Sequence, residues 1–137
     1  VTGAGGMFKQ VLIDSGAGQA FADVVALSPL PPLMAGFLIA ISVRIIQGSA
    51  TVAMLTAAGL MAPVVNALSL SPSLLALMTI SIAAGATAMS HVNDTGFWII
   101  NRYFDISVKT TLISWTCMAT IIGFVGLILT LLLAMIV

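Results

Sequence analysis

Charge is what this sequence has least of. Its 137 residues carry four Lys or Arg, four Asp and no Glu, for a formal net charge of zero. Charged residues make up 6% of the chain, against about 25% in a typical soluble domain. So few charges cannot supply the ionic skin that keeps a fold of this size dissolved. The lipid bilayer is therefore read as its solvent, and the fold class as an all-α polytopic membrane protein. The same scarcity of basic residues excludes a nucleic-acid footprint, so no nucleic acid is expected as a partner. Cysteine is nearly absent too: Cys117 stands alone in an apolar run, which rules out a disulfide within the chain or a thiolate metal cluster. It reads as a small buried hydrophobe. No His-Glu-x-x-His zinc pattern and no phosphate-cradling Gly-Lys motif occurs. Ser90 and His91 are chain neighbours, not the through-space pair a hydrolytic nucleophile and base require. No catalytic residue, cofactor or metal is assigned. Val1-Thr2-Gly3-Ala4 lacks an initiator Met and a basic region before an apolar run, so it is not a signal peptide. The chain reads as the C-terminal transmembrane portion, residues 1–137, of something longer.

What is present is apolar: 61% of the residues are hydrophobic. Residues 5–27 are the most polar stretch, with Lys9, Gln10, Asp14, Gln19 and Asp23 set among Phe8, Val11, Leu12, Phe21, Val24 and Val25 at roughly helical spacing. Ser15-Gly16-Ala17-Gly18 interrupts it. An interfacial arm helix lying along the membrane surface suits this pattern; a loop outside the membrane is the alternative. Pro29, Pro31 and Pro32 then forbid helix continuation and favour a fresh start just after them.

Residues 33–65 form two apolar arms around Gln47-Gly48-Ser49-Ala50-Thr51. Each arm holds about 14 residues, too few to cross a core of about 30 Å at about 1.5 Å per residue. One long helix broken in its middle fits, as does a re-entrant hairpin with the polar residues at its tip. The hairpin is the preferred geometry. Ser71 and Pro72 open the next segment, 74–104, as N-cap and first-turn proline. Its first half is rich in small residues (Ala83, Ala84, Gly85, Ala86, Ala88) that let helices approach closely in lipid. Met89 to Gly96 breaks the apolar pattern, and Asn101-Arg102-Tyr103-Phe104-Asp105 marks an interface, so this helix is interrupted near mid-membrane. Residues 110–137 are the last transmembrane helix. From Leu112 on they carry no charge, and Trp115 reads as an interfacial anchor. Arg102 and Lys109 flank the short loop before this helix, which places that loop inside and the C-terminus outside the cytoplasm; Lys9 counts the other way.

Two polar clusters carry the functional reading. A helix broken in lipid exposes backbone groups at a cost of several kcal/mol each, tolerated only where protein or a water-filled cavity covers them. The broken ends in turn offer partial charges to an anionic solute or a cation. Gln47, Gly48, Ser49 and Thr51 add amide and hydroxyl groups, with Gly48 letting a ligand approach the backbone. Arg44, one turn earlier, is placed to pair a substrate carboxylate; a snorkelling arginine or a partner to an Asp elsewhere in a longer protein are its other readings. In the second cluster Ser90, Asn93 and Thr95 supply solute contacts. His91 and Asp94, three apart and on one side if helical, are the two titratable candidates for proton coupling. Asp94 is the stronger candidate.

Gly3-Ala4-Gly5-Gly6-Met7-Phe8-Lys9-Gln10-Val11-Leu12, Arg44-Ile45-Ile46-Gln47-Gly48-Ser49-Ala50-Thr51-Val52-Ala53 and Ser90-His91-Val92-Asn93-Asp94-Thr95-Gly96-Phe97-Trp98 closely resemble the gluconate permease family. The likeness covers essentially the whole chain. It implies a multi-pass symporter of the bacterial inner membrane moving gluconate or a related sugar acid, with the proton as coupling ion. Members handling D-serine or another small hydroxy-acid keep similar strings. The family is distantly similar to the wider ion-transporter group, whose halves are inverted repeats of arm helix, re-entrant hairpin, broken helix and final span. On that resemblance this chain is the C-terminal repeat, its partners are the N-terminal half and the bilayer, a homo-oligomer is allowed, and both clusters meet at one site. A non-transporting membrane assembly module and an intramembrane enzyme using His91 and Asp94 are the rivals. Two helix breaks carrying neutral polar groups suit a polyhydroxy solute better than either.

Overall fold

Proline and glycine set the limits of the first long helix. In the computed structural model, α1 spans Pro32–Gln47, with Pro32 in its first turn and Gly48 closing it in the left-handed conformation at φ 78°. Described are residues 30–137 and, before them, Gly3, Gly6, Met7, Gln10, Val11, Asp14, Ser15, Gly16, Ala20 and Asp23. The arm expected over 5–27 therefore falls mostly outside the described residues. After α1 come α2 (Ala50–Leu68), α3 (Pro72–Thr87), α4 (Thr95–Tyr103) and α5 (Val108–Ala134). The hydroxyls of Ser49 and Ser71 accept from the N–H groups of Val52 and Leu74 and so cap α2 and α3. Among the described residues the fold is all-helical, with no strand.

The helix directions follow from the cross-links. Ser81 Oγ donates to the Leu33 carbonyl at 2.7 Å, and Asn93 Nδ2 donates to the Ile45 carbonyl at 2.8 Å. Both bonds join residues 48 apart, so α3 and the chain leaving it run parallel to α1. α2 returns beside α1 from the Gly48–Ser49 turn, and its last turns (Met61, Val65, Asn66) lie against Leu75, Met78 and Thr79 of α3. The two arms thus form a helical hairpin. α5 runs antiparallel to α3: Thr120 meets Met89 near one end, while Leu131 and Ala134 face Leu74 near the other. Helices α1, α2 and α3 enclose the core, which includes Leu33, Ala40, Ala57, Met61, Val64, Met78 and Ile82.

Small residues set the spacing. A Cβ on Gly85 would lie 2.4 Å from the Phe37 carbonyl oxygen, and one on Gly123 would lie 2.7 Å from that of Ala84. Helices packed this closely gain from backbone contact, which matters where lipid offers no hydrophobic drive between them. Among the described residues, two helices, Ala50–Leu68 and Val108–Ala134, are long and apolar enough to cross a membrane. The outer face of α5 exposes Ile113, Ile121, Ile128 and Leu132. Cys117 is exposed there as well, against the expectation of burial. The helical period explains it, because the stripe α5 buries is Ala119, Gly123, Leu127 and Thr130.

Candidate functional site: a polar cavity between two helix breaks

Between α3 and α4 the chain leaves helical conformation from Ala88 to Asp94, with Met89 at φ 56°. This break opens beside the turn joining α1 to α2. The closest approach is at Gly48, where a Cβ would meet the Asn93 carbonyl oxygen at 2.2 Å. Glycine is required there on two grounds, the positive φ and the neighbouring backbone. The second break is thus what packs against Gly48 in this chain, and Gly48 also lines the cavity described below.

Side chains satisfy several of the backbone groups freed by the break, as an apolar setting demands. Trp98 Nε1 donates to the Val92 carbonyl at 2.7 Å, and Thr116 Oγ1 to that of Ser90 at 2.6 Å. Met89 N donates to Thr120 Oγ1 at 3.3 Å. His91 Nδ1 lies 2.8 Å from the Met89 carbonyl, which can only accept, so this nitrogen carries the proton.

Asp94 is the hub. Its Oδ2 accepts from Arg44 Nη2 at 2.5 Å, an ion pair between two nearly buried side chains, and from Ser90 Oγ. Oδ1 accepts from Gly96 N at 3.1 Å, which makes Asp94 the N-cap of α4. Arg44 also donates through Nη1 to the Gly48 carbonyl, and its Nε has no partner among the described residues. Ser90 Oγ in turn accepts from Trp115 Nε1 at 2.7 Å.

A cavity of about 320 Å³ opens at the junction, lined by Gln47, Gly48, Ser49, Ala50, Thr51, Asn93, Asp94 and Thr95. Its wall comes from both clusters, which the structure brings together. Gln47, Thr51, Asn93 and Thr95 are exposed, Ser49 is half-buried, and Arg44, Gly48, Ser90 and Asp94 are buried. Arg44 and Ser90 stand behind the wall and act on it through Asp94. His91 does not line the cavity. Nor does it share a helical face with Asp94, because residues 88–94 are not helical. Within this chain the partner of Arg44 is Asp94. α2 and α4 both begin at the cavity, so two helix N-termini bring their positive dipole ends to it.

Trp115 has the sequence position of an interfacial anchor, and nothing in the sequence marks its bond to Ser90. It sits in a π-helical stretch of α5, Leu112–Thr116, which presents Trp115 and Thr116 to the break together. No group of three or more His, Cys, Asp or Glu placed to hold a metal occurs among the described residues.

Residues 1–136 match the family model of the GntP family permeases. The low-affinity gluconate transporter of Escherichia coli (strain K12) is 49% identical over 126 residues, 92% of this chain and 28% of that protein. The gluconate permease of Bacillus subtilis (strain 168) is 43% identical over 137 residues, 100% of this chain and 30% of that protein. The Gnt-II system L-idonate transporter of Escherichia coli (strain K12) is 42% identical over 127 residues, 93% of this chain and 28% of that protein. The chain thus spans less than a third of the length of these relatives, which are permeases and transporters, not enzymes. No solved structure matches.

Proposed function

The chain belongs to the GntP family of permeases, and on that premise we propose that it forms one segment of a secondary transporter for gluconate or a related sugar acid. Its setting in this reading is the bacterial inner membrane, crossed several times, with the hairpin α1–α2 entering the bilayer and returning on the same side. The rest of the permease supplies the companion wall of the site. One observation carries the reading: two helix N-termini and a set of neutral hydroxyl and amide groups converge on a single cavity. The dipole ends suit the carboxylate of a sugar acid. Gln47, Ser49, Thr51, Asn93 and Thr95 suit its hydroxyls, which need many donors and acceptors at close range.

Coupling follows from charge balance. Arg44 and Asp94 together are neutral, and adding an anionic substrate leaves the buried site one negative charge in excess, which a low-dielectric setting resists. A proton taken up by Asp94 removes that excess. It also releases the Arg44 guanidinium, a planar donor suited to a carboxylate, for the substrate. Substrate and proton then bind together because each cancels the charge the other leaves. Asp94 carries the proton in this scheme, and His91 holds the shape of the break through the Met89 carbonyl.

The test is uptake of labelled gluconate and L-idonate by the full-length permease, in cells stripped of other sugar-acid carriers. Saturable accumulation that collapses with a protonophore is expected. Accumulation indifferent to the protonophore refutes the coupling, and absence of uptake for every sugar acid offered refutes the substrate class.

A further inference from the structure

Trp115 is the cavity's least expected neighbour. It lies on α5, a helix that contributes nothing to the cavity wall, yet its indole N–H reaches Ser90 Oγ at 2.7 Å. Indole N–H is a donor only, whereas a serine hydroxyl donates one proton and accepts through its lone pairs. With the indole occupying an acceptor position, the Ser90 hydroxyl must send its own proton elsewhere, and it sends it to Asp94 Oδ2. Trp115 → Ser90 → Asp94 therefore runs in one direction, and Arg44 donates to the same carboxylate from the other side. Ser90 is 1% exposed, so water does not compete for its hydroxyl. Such a chain of donors holds its terminal acceptor more firmly than separate bonds do.

The placement of Trp115 depends on local backbone. The π-helical stretch Leu112–Thr116 widens one turn of α5 at the level of the break. Thr116 follows Trp115 there and donates to the Ser90 carbonyl at 2.6 Å, so two consecutive residues of α5 grip the same serine. A regular α-helix sets adjacent side chains about 100° apart and does not face two of them to one residue as readily. An interfacial anchor needs neither the widened turn nor a buried acceptor.

We propose that Trp115 is a positioning residue for transport: through Ser90 it holds the Asp94 carboxyl, and with it the Arg44 side chain, in place beside the cavity, where the proton and the sugar acid take over their contacts. The proposal rests on the reading of the cavity as the solute site. It also makes α5 a participant in binding, since any shift of α5 along α3 changes the hold on Ser90.

The experiment measures labelled gluconate uptake by the full-length permease, corrected for protein in the membrane, for wild type, Trp115→Phe, Ser90→Ala and the double variant. Trp115→Phe keeps the ring and loses the N–H. A rise in KM of about tenfold is expected for each single variant, with Vmax per molecule changed less than about threefold. One ordered hydrogen bond to a charged network corresponds to about that factor. In the Ser90→Ala background Trp115→Phe should add nothing further, because its acceptor is already gone. A residue that merely packs gives the same fold effect in both backgrounds, and that result overturns the proposal. So does a normal KM in Trp115→Phe. Should Trp115→Phe fail to reach the membrane, Ser90→Ala alone decides, and an unchanged KM there overturns the proposal equally. Wild-type protein that takes up no sugar acid indicts the solute-site reading instead, and the two failures are distinct.

Discussion

Gly48→Ala tests the junction at its narrowest point. The residue sits at φ 78°, where a Cβ costs roughly 1–2 kcal/mol in strain. The added carbon would also lie 2.2 Å from the Asn93 carbonyl oxygen and 2.6 Å from its carbon. Both are backbone atoms, so no side-chain rotation relieves the clash, and the two breaks must separate by more than an ångström. Separation weakens the 2.8 Å bond from Asn93 to the Ile45 carbonyl and the Arg44 contact at the Gly48 carbonyl. Each is worth roughly 1 kcal/mol, and the one involving the guanidinium more. The expected total is roughly 3–5 kcal/mol. Detergent-solubilised full-length permease should melt several degrees lower, and uptake assays should show a KM for sugar acid raised at least tenfold in whatever protein reaches the membrane. Wild-type melting and wild-type KM together would refute the argument, since they require the breaks to lie apart already.

Asp94→Asn keeps the shape of the carboxylate and loses its charge, so accumulation against a gradient should disappear while some downhill exchange of labelled substrate remains. Uptake in this variant should also lose its dependence on external pH; accumulation with a normal dependence removes Asp94 as the proton carrier. His91→Asn should lower the rate and still concentrate substrate, read in the same assay. Gly123→Leu drives a side chain into the Ala84 carbonyl and Ala88, an overpacking worth about 1–3 kcal/mol, so thermal unfolding should move down by several degrees with KM nearly unchanged.

The breaks were legible because glycine, serine and proline punctuate apolar runs locally: Gly48 and Ser49 interrupt one, and Ser71-Pro72 restarts another. What joins the breaks was not legible. Arg44 and Asp94 are 50 residues apart, and periodicity speaks only along a single element. The sequence instead matched Asp94 with its neighbour His91, on an assumption of helix that the seven residues from Ala88 to Asp94 do not satisfy. Trp115 misled for a related reason. A tryptophan heading a long apolar run is a common interfacial anchor, and the π-helical turn that redirects it leaves no mark in composition. Direction was also hidden, because the parallel course of α1 and α3 emerges only from bonds such as Ser81 to Leu33.

The ion pair itself remains to be accounted for. A buried pair is often no better for stability than apolar residues of the same volume, and at times worse by 1–4 kcal/mol. In a chain this poor in charge, stability is a weak reason to keep one. Its position supplies a stronger one. Arg44 lies in the last turn of α1, whose negative dipole end and free carbonyls favour a cation, and it donates to the Gly48 carbonyl there. Asp94 caps the first turn of α4, whose positive end favours an anion, and it accepts from Gly96 N. Each charge is thus held by its own helix end as well as by the other charge. Were Asp94 neutralised by a proton, α4 would lose its anion and Arg44 its partner in the same event, leaving a vacancy for one negative group between a helix N-terminus and a guanidinium. A substrate carboxylate has the charge and the acceptor geometry to fill it. In the proposed exchange the sugar acid therefore replaces Asp94 at contacts already built, and the site need not create new ones to bind it.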